Sequence, residues 1–182
     1  MTQIADPATV LAFWREAGPK KWFTKDDAFD RGVRERFLAT YEAATAGELS
    51  AWEATPEGAL ALAIVLDQFP RNMFRDSPRA YAADPIARRL ARIAVEQGLD
   101  RSMTDQERNF LYLPFEHSED REDQALSIHL IGQLGHDEWT RHALAHRSII
   151  DRFGRFPHRN AILGRTSTPD ELVLLNEPMG SF

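Results

Sequence analysis

Apolar side chains in this chain return every third or fourth residue, and each such stretch is opened by a capping residue and closed by a glycine or proline. Phe29, Val33, Phe37 and Tyr41 fall four apart, a stripe that only a helix gathers on one face. Asp6-Pro7 places an N-cap before a proline at the first helical position, with Val10, Phe13 and Trp14 on one face behind it. Thr55-Pro56 opens a helix whose body, Ala59 to Leu66, is apolar all round, which marks it as the central helix. Ser77-Pro78 starts another, interrupted at Asp84-Pro85 and closed by Gly98. Thr104 with Glu107, and Thr168 with Glu171, have capping-box spacing. Helices are also expected from about Glu119 to Leu134 and from about Asp137 to Phe153, stopped by Gly135 and Gly154. Nothing alternates as a strand does. The expectation is an all-α fold, one compact domain over residues 1–182 built from about 7–9 antiparallel helices.

Charge and composition exclude several classes of function. With 22 basic and 28 acidic residues the net charge is −6, which disfavours nucleic acid and anionic membrane surfaces as partners. The absence of cysteine removes disulfides and thiolate chemistry, and the longest apolar run, Ala59 to Leu66, is too short to span a bilayer. A cytoplasmic location is expected. No phosphate-cradling glycine loop or dinucleotide fingerprint occurs, so no nucleotide cofactor is expected.

Two similar strings stand out: Phe69-Pro70-Arg71-Asn72 after the central helix, and Phe156-Pro157-His158-Arg159-Asn160 after the helix ending at Phe153. Proline disfavours helical geometry in the residue before it, so Phe69 and Phe156 are both expected to turn extended. Each string then sets arginine beside a helix C-terminus, where it can cap carbonyls or bind an anion. Charge is also segregated. From Arg141 to Arg165, six arginines face the single acid Asp151, giving +5, whereas Thr104 to Gln124 is −5. These stretches should attract each other, as a structural ion-pair network or as the wall of a pocket.

The pocket reading assigns Arg71, Arg155 and Arg159 to clamp a small anion and Asn72 and Asn160 to orient it. His117, His158 and Glu119 would supply proton chemistry, and Trp22 would line the site. Whether the chain is an enzyme stays open. Ser118 beside His117 lacks a nucleophile elbow and reads as the N-cap of the following helix. His142 and His146 have chelating spacing, but His146 falls on the buried stripe with Ala143 and Ile150, which favours a hydrogen-bonded core histidine, and no metal is expected. Trp14, Trp22 and Trp52, with Phe13 and Phe23, read mostly as core. The alternative is a helical scaffold that holds a protein or peptide segment, with the arginine–glutamate network purely structural.

The strings Phe13-Trp14, Lys21-Trp22-Phe23, Leu66 to Asn72, Pro114 to Glu119, Phe153 to Asn160 and Leu163-Gly164-Arg165 resemble a bacterial family of unknown function, domain of unknown function 924. The resemblance covers essentially the whole chain. It implies an all-helical fold related to tetratricopeptide-repeat-like proteins, and no activity, substrate or cofactor.

Overall fold

Side-chain caps open several of the helices. In the computed structural model, which describes residues 3–22 and 24–177, the described residues form helices and no strand. Phe23 lies outside the described residues. The elements are α1 (Pro7–Ala17), α2 (Pro19–Trp22), α3 (Asp27–Thr45), α4 (Pro56–Ala63), α5 (Phe69–Met73), α6 (Asp84–Glu96), α7 (Asp105–Glu116), α8 (Arg121–Gly132), α9 (Asp137–Phe153) and α10 (Pro169–Leu175). They fall into two compact units, one of Met1–Arg75 with Arg79–Pro114, the other of Asp76–Pro78 with Phe115–Phe182.

In the first unit, Asp6, Asp26 and Thr55 cap α1, α3 and α4 through their side-chain oxygens, the positions at which the sequence has a short polar residue before an apolar stripe. The α4 body is buried on every side from Gly58 to Ala63. Against it the rings of Phe13, Trp14, Phe29, Phe37, Phe69 and Phe110 form one aromatic cluster, with Phe37 and Phe69 centroids 4.7 Å apart. Tyr112 is fully buried, donates to Asp100 and accepts from Arg108, and burial followed by the Asp100 contact pushes its hydroxyl up to about 12.

One expected break is absent. Phe69 is helical, at φ −60° and ψ −38°, because the residues before it, Ile64–Gln68, form a wider π turn that runs straight into α5. Pro70 is the second residue of α5, directly after the π turn. Phe156, by contrast, is extended, at φ −89° and ψ 107°, as expected before a proline.

Gly58 carries a stability prediction. A Cβ there would overlap the backbone carbonyl of Trp52 in the 3-10 turn Ser50–Ala54. Gly58→Ala is therefore expected to cost about 2 kcal/mol despite alanine's better helix propensity, and urea unfolding of the variant measures it.

The second unit is built on α8 and α9, which pack along each other, and on the loop and short helix that follow. Ile149, Ile150, Phe156 and Leu174 form its apolar core, with Phe153 half-buried against it. Gly154 ends α9 in the left-handed region, φ 70°, where a side chain would be strained. The cap of α8 is Asp120, which accepts from the N–H groups of Glu122 and Asp123; Ser118, two residues earlier, instead donates to Asp123 at 2.8 Å. The capping box of α10 is complete, with Thr168 accepting from the Glu171 N–H and Glu171 accepting from the Thr168 N–H.

Candidate functional site

The first unit holds three of the expected site residues, and each is engaged there. Arg71 makes a bidentate pair with Asp84 (3.0 and 3.1 Å) and an ion pair with Asp67 at 3.2 Å. Burial alone would lower its pKa, and Asp67 and Asp84 outweigh that and hold it above the ordinary arginine value. Asn72 donates to Asp30 at 2.8 Å, and Arg75 grips the same carboxylate with two hydrogen bonds. Trp22 is half-buried; its indole N–H donates to the Trp14 carbonyl and its ring packs edge-on to Phe110 at 4.8 Å.

The second unit brings together the other six, on the turn after α7 and the loop after α9. Two arginine–carboxylate forks organise them. Arg155 donates to both oxygens of Glu171 (2.6 and 2.8 Å) and to the Thr166 carbonyl. Glu171 also accepts from the fully buried Asn160 at 3.2 Å. The Arg155 hydrogen bonds, opposed by burial and aided by the Thr168 N–H, hold the Glu171 carboxyl down at about 2. In the second fork Arg165 donates to both oxygens of Glu119 (2.8 and 3.0 Å), to the Phe156 carbonyl and to the Asn160 amide oxygen. Glu119 also accepts from the Phe156 N–H at 2.8 Å. Burial would raise its pKa, but Arg165 and the Phe156 N–H prevail and lower it. The basic stretch thus does meet the acidic one, through Arg165 and Glu119.

Inside this frame lies a group of imidazoles around one guanidinium. Arg159 is only 7% exposed, donates to the His117 carbonyl at 2.9 Å and stacks on the Phe156 ring at 4.6 Å. His158 precedes it in the 3-10 turn Pro157–Arg159, its ring 5.6 Å from that of Phe156. The His117 ring lies 6.0 Å from that of His146, which is itself buried and edge-on to Phe156 at 5.6 Å. His146 Nδ1 sits 2.9 Å from the His142 carbonyl oxygen and 3.1 Å from Oε1 of Glu116. Burial first, then the neighbouring His117, His158 and Arg159, drive the His146 pKa down to about 3, so at neutral pH the ring carries no charge to pair with Glu116. The sequence marked His146 as a core histidine but gave no sign of Glu116, thirty residues away, as its partner.

An open cleft of about 420 Å³ lies to one side, lined by Arg152, Phe153, Arg155, Thr168, Asp170 and Glu171. Among the described residues no group of three or more histidine, cysteine, aspartate and glutamate side chains is placed to hold a metal ion, and no helix is long and apolar enough to cross a membrane.

A family model described as "Bacterial protein of unknown function (DUF924)" matches residues 10–179, and the chain belongs to that family. It is similar to a solved structure titled as a protein of unknown function, ATU0120 from Agrobacterium tumefaciens. The two share 45% identity and a TM-score of 0.90, over 93% of this chain and 96% of that one. No curated protein matches the chain.

Proposed function

We propose that the second unit binds a small anion beside Arg159, with His117, His158 and His146 around it. The observation that carries this reading is the placement of a nearly buried guanidinium near His117, His146 and His158, with an N–H on the His117 carbonyl and its face on the Phe156 ring. Positive charge kept from water lowers the cost of bringing in an anion and favours one with several acceptor oxygens. Glu119 and Asn160 are positioning residues in this account: they fix the loop that carries His158 and Arg159. Arg155, committed to Glu171, serves the frame. Arg71, Asn72 and Trp22 are engaged within the first unit, and the proposal draws on none of them.

A second reading has its own support. Arg71, Arg155 and Arg165 all have bidentate carboxylate partners, as expected of a structural network, and Leu172 and Val173 are exposed on α10, as expected of a scaffold that docks a peptide.

Calorimetric titration with inorganic phosphate separates the two. The anion reading predicts saturable binding to the wild type that weakens about 10- to 100-fold in Arg159→Gln, the loss of one or two charge-assisted hydrogen bonds. The scaffold reading predicts no saturable heat in either protein.

A further inference from the structure

The open cleft of the second unit, about 420 Å³ in volume, has the size of a small-molecule site, and four of the six side chains that line it are charged. Two of those charges are spent on each other, since Arg155 grips Glu171 through hydrogen bonds of 2.6 and 2.8 Å. The other two belong to Arg152 and Asp170. Both side chains are exposed, and neither has a hydrogen bond or an ion pair among the described residues. The acids nearest to Arg152 in sequence and in the cleft are already taken: Asp151 accepts from Arg147 at 2.8 Å, and Glu171 from Arg155. What Arg152 does touch is the Phe153 ring, with its guanidinium carbon 4.6 Å from the centroid. A guanidinium laid on a ring keeps the N–H groups of its edge for a planar carboxylate. Phe153 is itself packed against Ile149, Ile150, Phe156 and Leu174, so this platform is fixed to the core of the unit.

A lone cation and a lone anion on the walls of one cleft set the chemistry of what fits there. Arg152 in the last turn of α9 and Asp170 in the first turn of α10 have the signs that suit the two helix dipoles, but that effect uses up none of their hydrogen-bonding capacity. Two arginines balance two acids along the lining, so a bare anion meets Asp170 as well as Arg152, and a bare amine meets the reverse. A molecule carrying both charges satisfies both walls. We propose that this cleft binds a small dipolar molecule of the amino-acid class, its carboxylate on Arg152, its ammonium on Asp170 and an apolar side chain against Phe153. The site is separate from the one around Arg159 and does not rest on the anion reading. Its two charged contacts form at exposed side chains, where each is worth little, so the expected dissociation constant is on the order of 1 mM.

The test is NMR of the ¹⁵N-labelled full chain, titrated with L-leucine and, separately, with 4-methylpentanoate and 3-methylbutylamine, which lack its ammonium and its carboxylate. The expected result is a saturable shift of the Arg152 side-chain and Asp170 backbone resonances with L-leucine. Each truncated molecule should bind about three- to tenfold more weakly, the loss of one charged contact. Asp170→Asn should lower the affinity for L-leucine to that for 4-methylpentanoate and leave 4-methylpentanoate itself no weaker. Arg152→Gln should bring L-leucine down to the level of 3-methylbutylamine. Neither substitution removes a hydrogen bond or an ion pair among the described residues, so the thermal midpoint should stay within about 2 °C of the wild type. The wild-type comparison of the three molecules decides the matter even if a variant fails to fold. No saturable shift at the cleft below about 20 mM L-leucine overturns the inference. So does L-leucine binding no tighter than both truncated molecules, or binding that neither substitution weakens. Each of these outcomes leaves phosphate binding beside Arg159 untouched, and a failure of phosphate to bind leaves the cleft untouched.

Discussion

Lowering the pH from about 6.5 toward 3 should strip on the order of 4 kcal/mol from the stability of the fold through His146 alone. In the unfolded chain this histidine binds a proton near its ordinary value of 6.5, whereas in the fold it holds out to about 3. Between those limits the unfolded state binds more protons, so stability rises with pH there. The full contribution is present above pH 6.5 and disappears as acid is added. His146 is only 6% exposed, so solvent does little to screen the effect. Urea unfolding at about pH 7 and about pH 4.5 should differ by about 2–3 kcal/mol in the wild type from this source. His146→Gln should start less stable at pH 7, having lost the hydrogen bond to His142 and the contact with Glu116, yet lose less on acidification. An unchanged pH slope in that variant would mean the ring is already charged in the fold.

Glu171→Ala should be the most damaging single substitution in the second unit, at about 3 kcal/mol and a fall in Tm of about 6–12 °C. The carboxylate is 2% exposed and accepts from Arg155 twice, from Asn160 and from the Thr168 N–H, so its loss strands several donors at once. Its depressed pKa gives a second acid signature with its own window. The stabilisation is complete above the ordinary glutamate value of 4.5 and is lost as the pH falls toward about 2. Glu171→Gln keeps the shape and drops the charge, so it should be milder and free of that low-pH component. Phosphate affinity should survive in Glu171→Gln, since Arg155 belongs to the frame in this account; a loss of affinity would return Arg155 to the anion's own contacts.

The helices were legible because their ends are written in local chemistry. Asp6-Pro7, the Thr168–Glu171 capping box and Gly154 each act within one turn of the chain, and the structure places helix ends there. Phe69 was misread because the rule for residues before proline is also local, whereas the π turn ahead of it belongs to a helix buried on all sides. Ser118 and Asp120 are both good caps, and the choice between them was settled by Asp123, which takes the serine hydroxyl. At the site, the opposed charges of the two stretches pointed toward Glu119 and Arg165. They did not point to Glu171 as the partner of Arg155, because that acid read only as a capping residue. The Glu116–His146 contact left no periodic trace, since it joins a helix end to the middle of another helix.

Diffraction at the selenium edge from crystals soaked in selenate, a phosphate-sized anion that can be located by its anomalous signal, puts the central claim to its most direct test. The account predicts a selenium peak within hydrogen-bonding distance of the Arg159 guanidinium and facing the His117, His146 and His158 rings, and no such peak in Arg159→Gln. Selenium found only in the open cleft beside Arg152, or nowhere on the second unit, would contradict it.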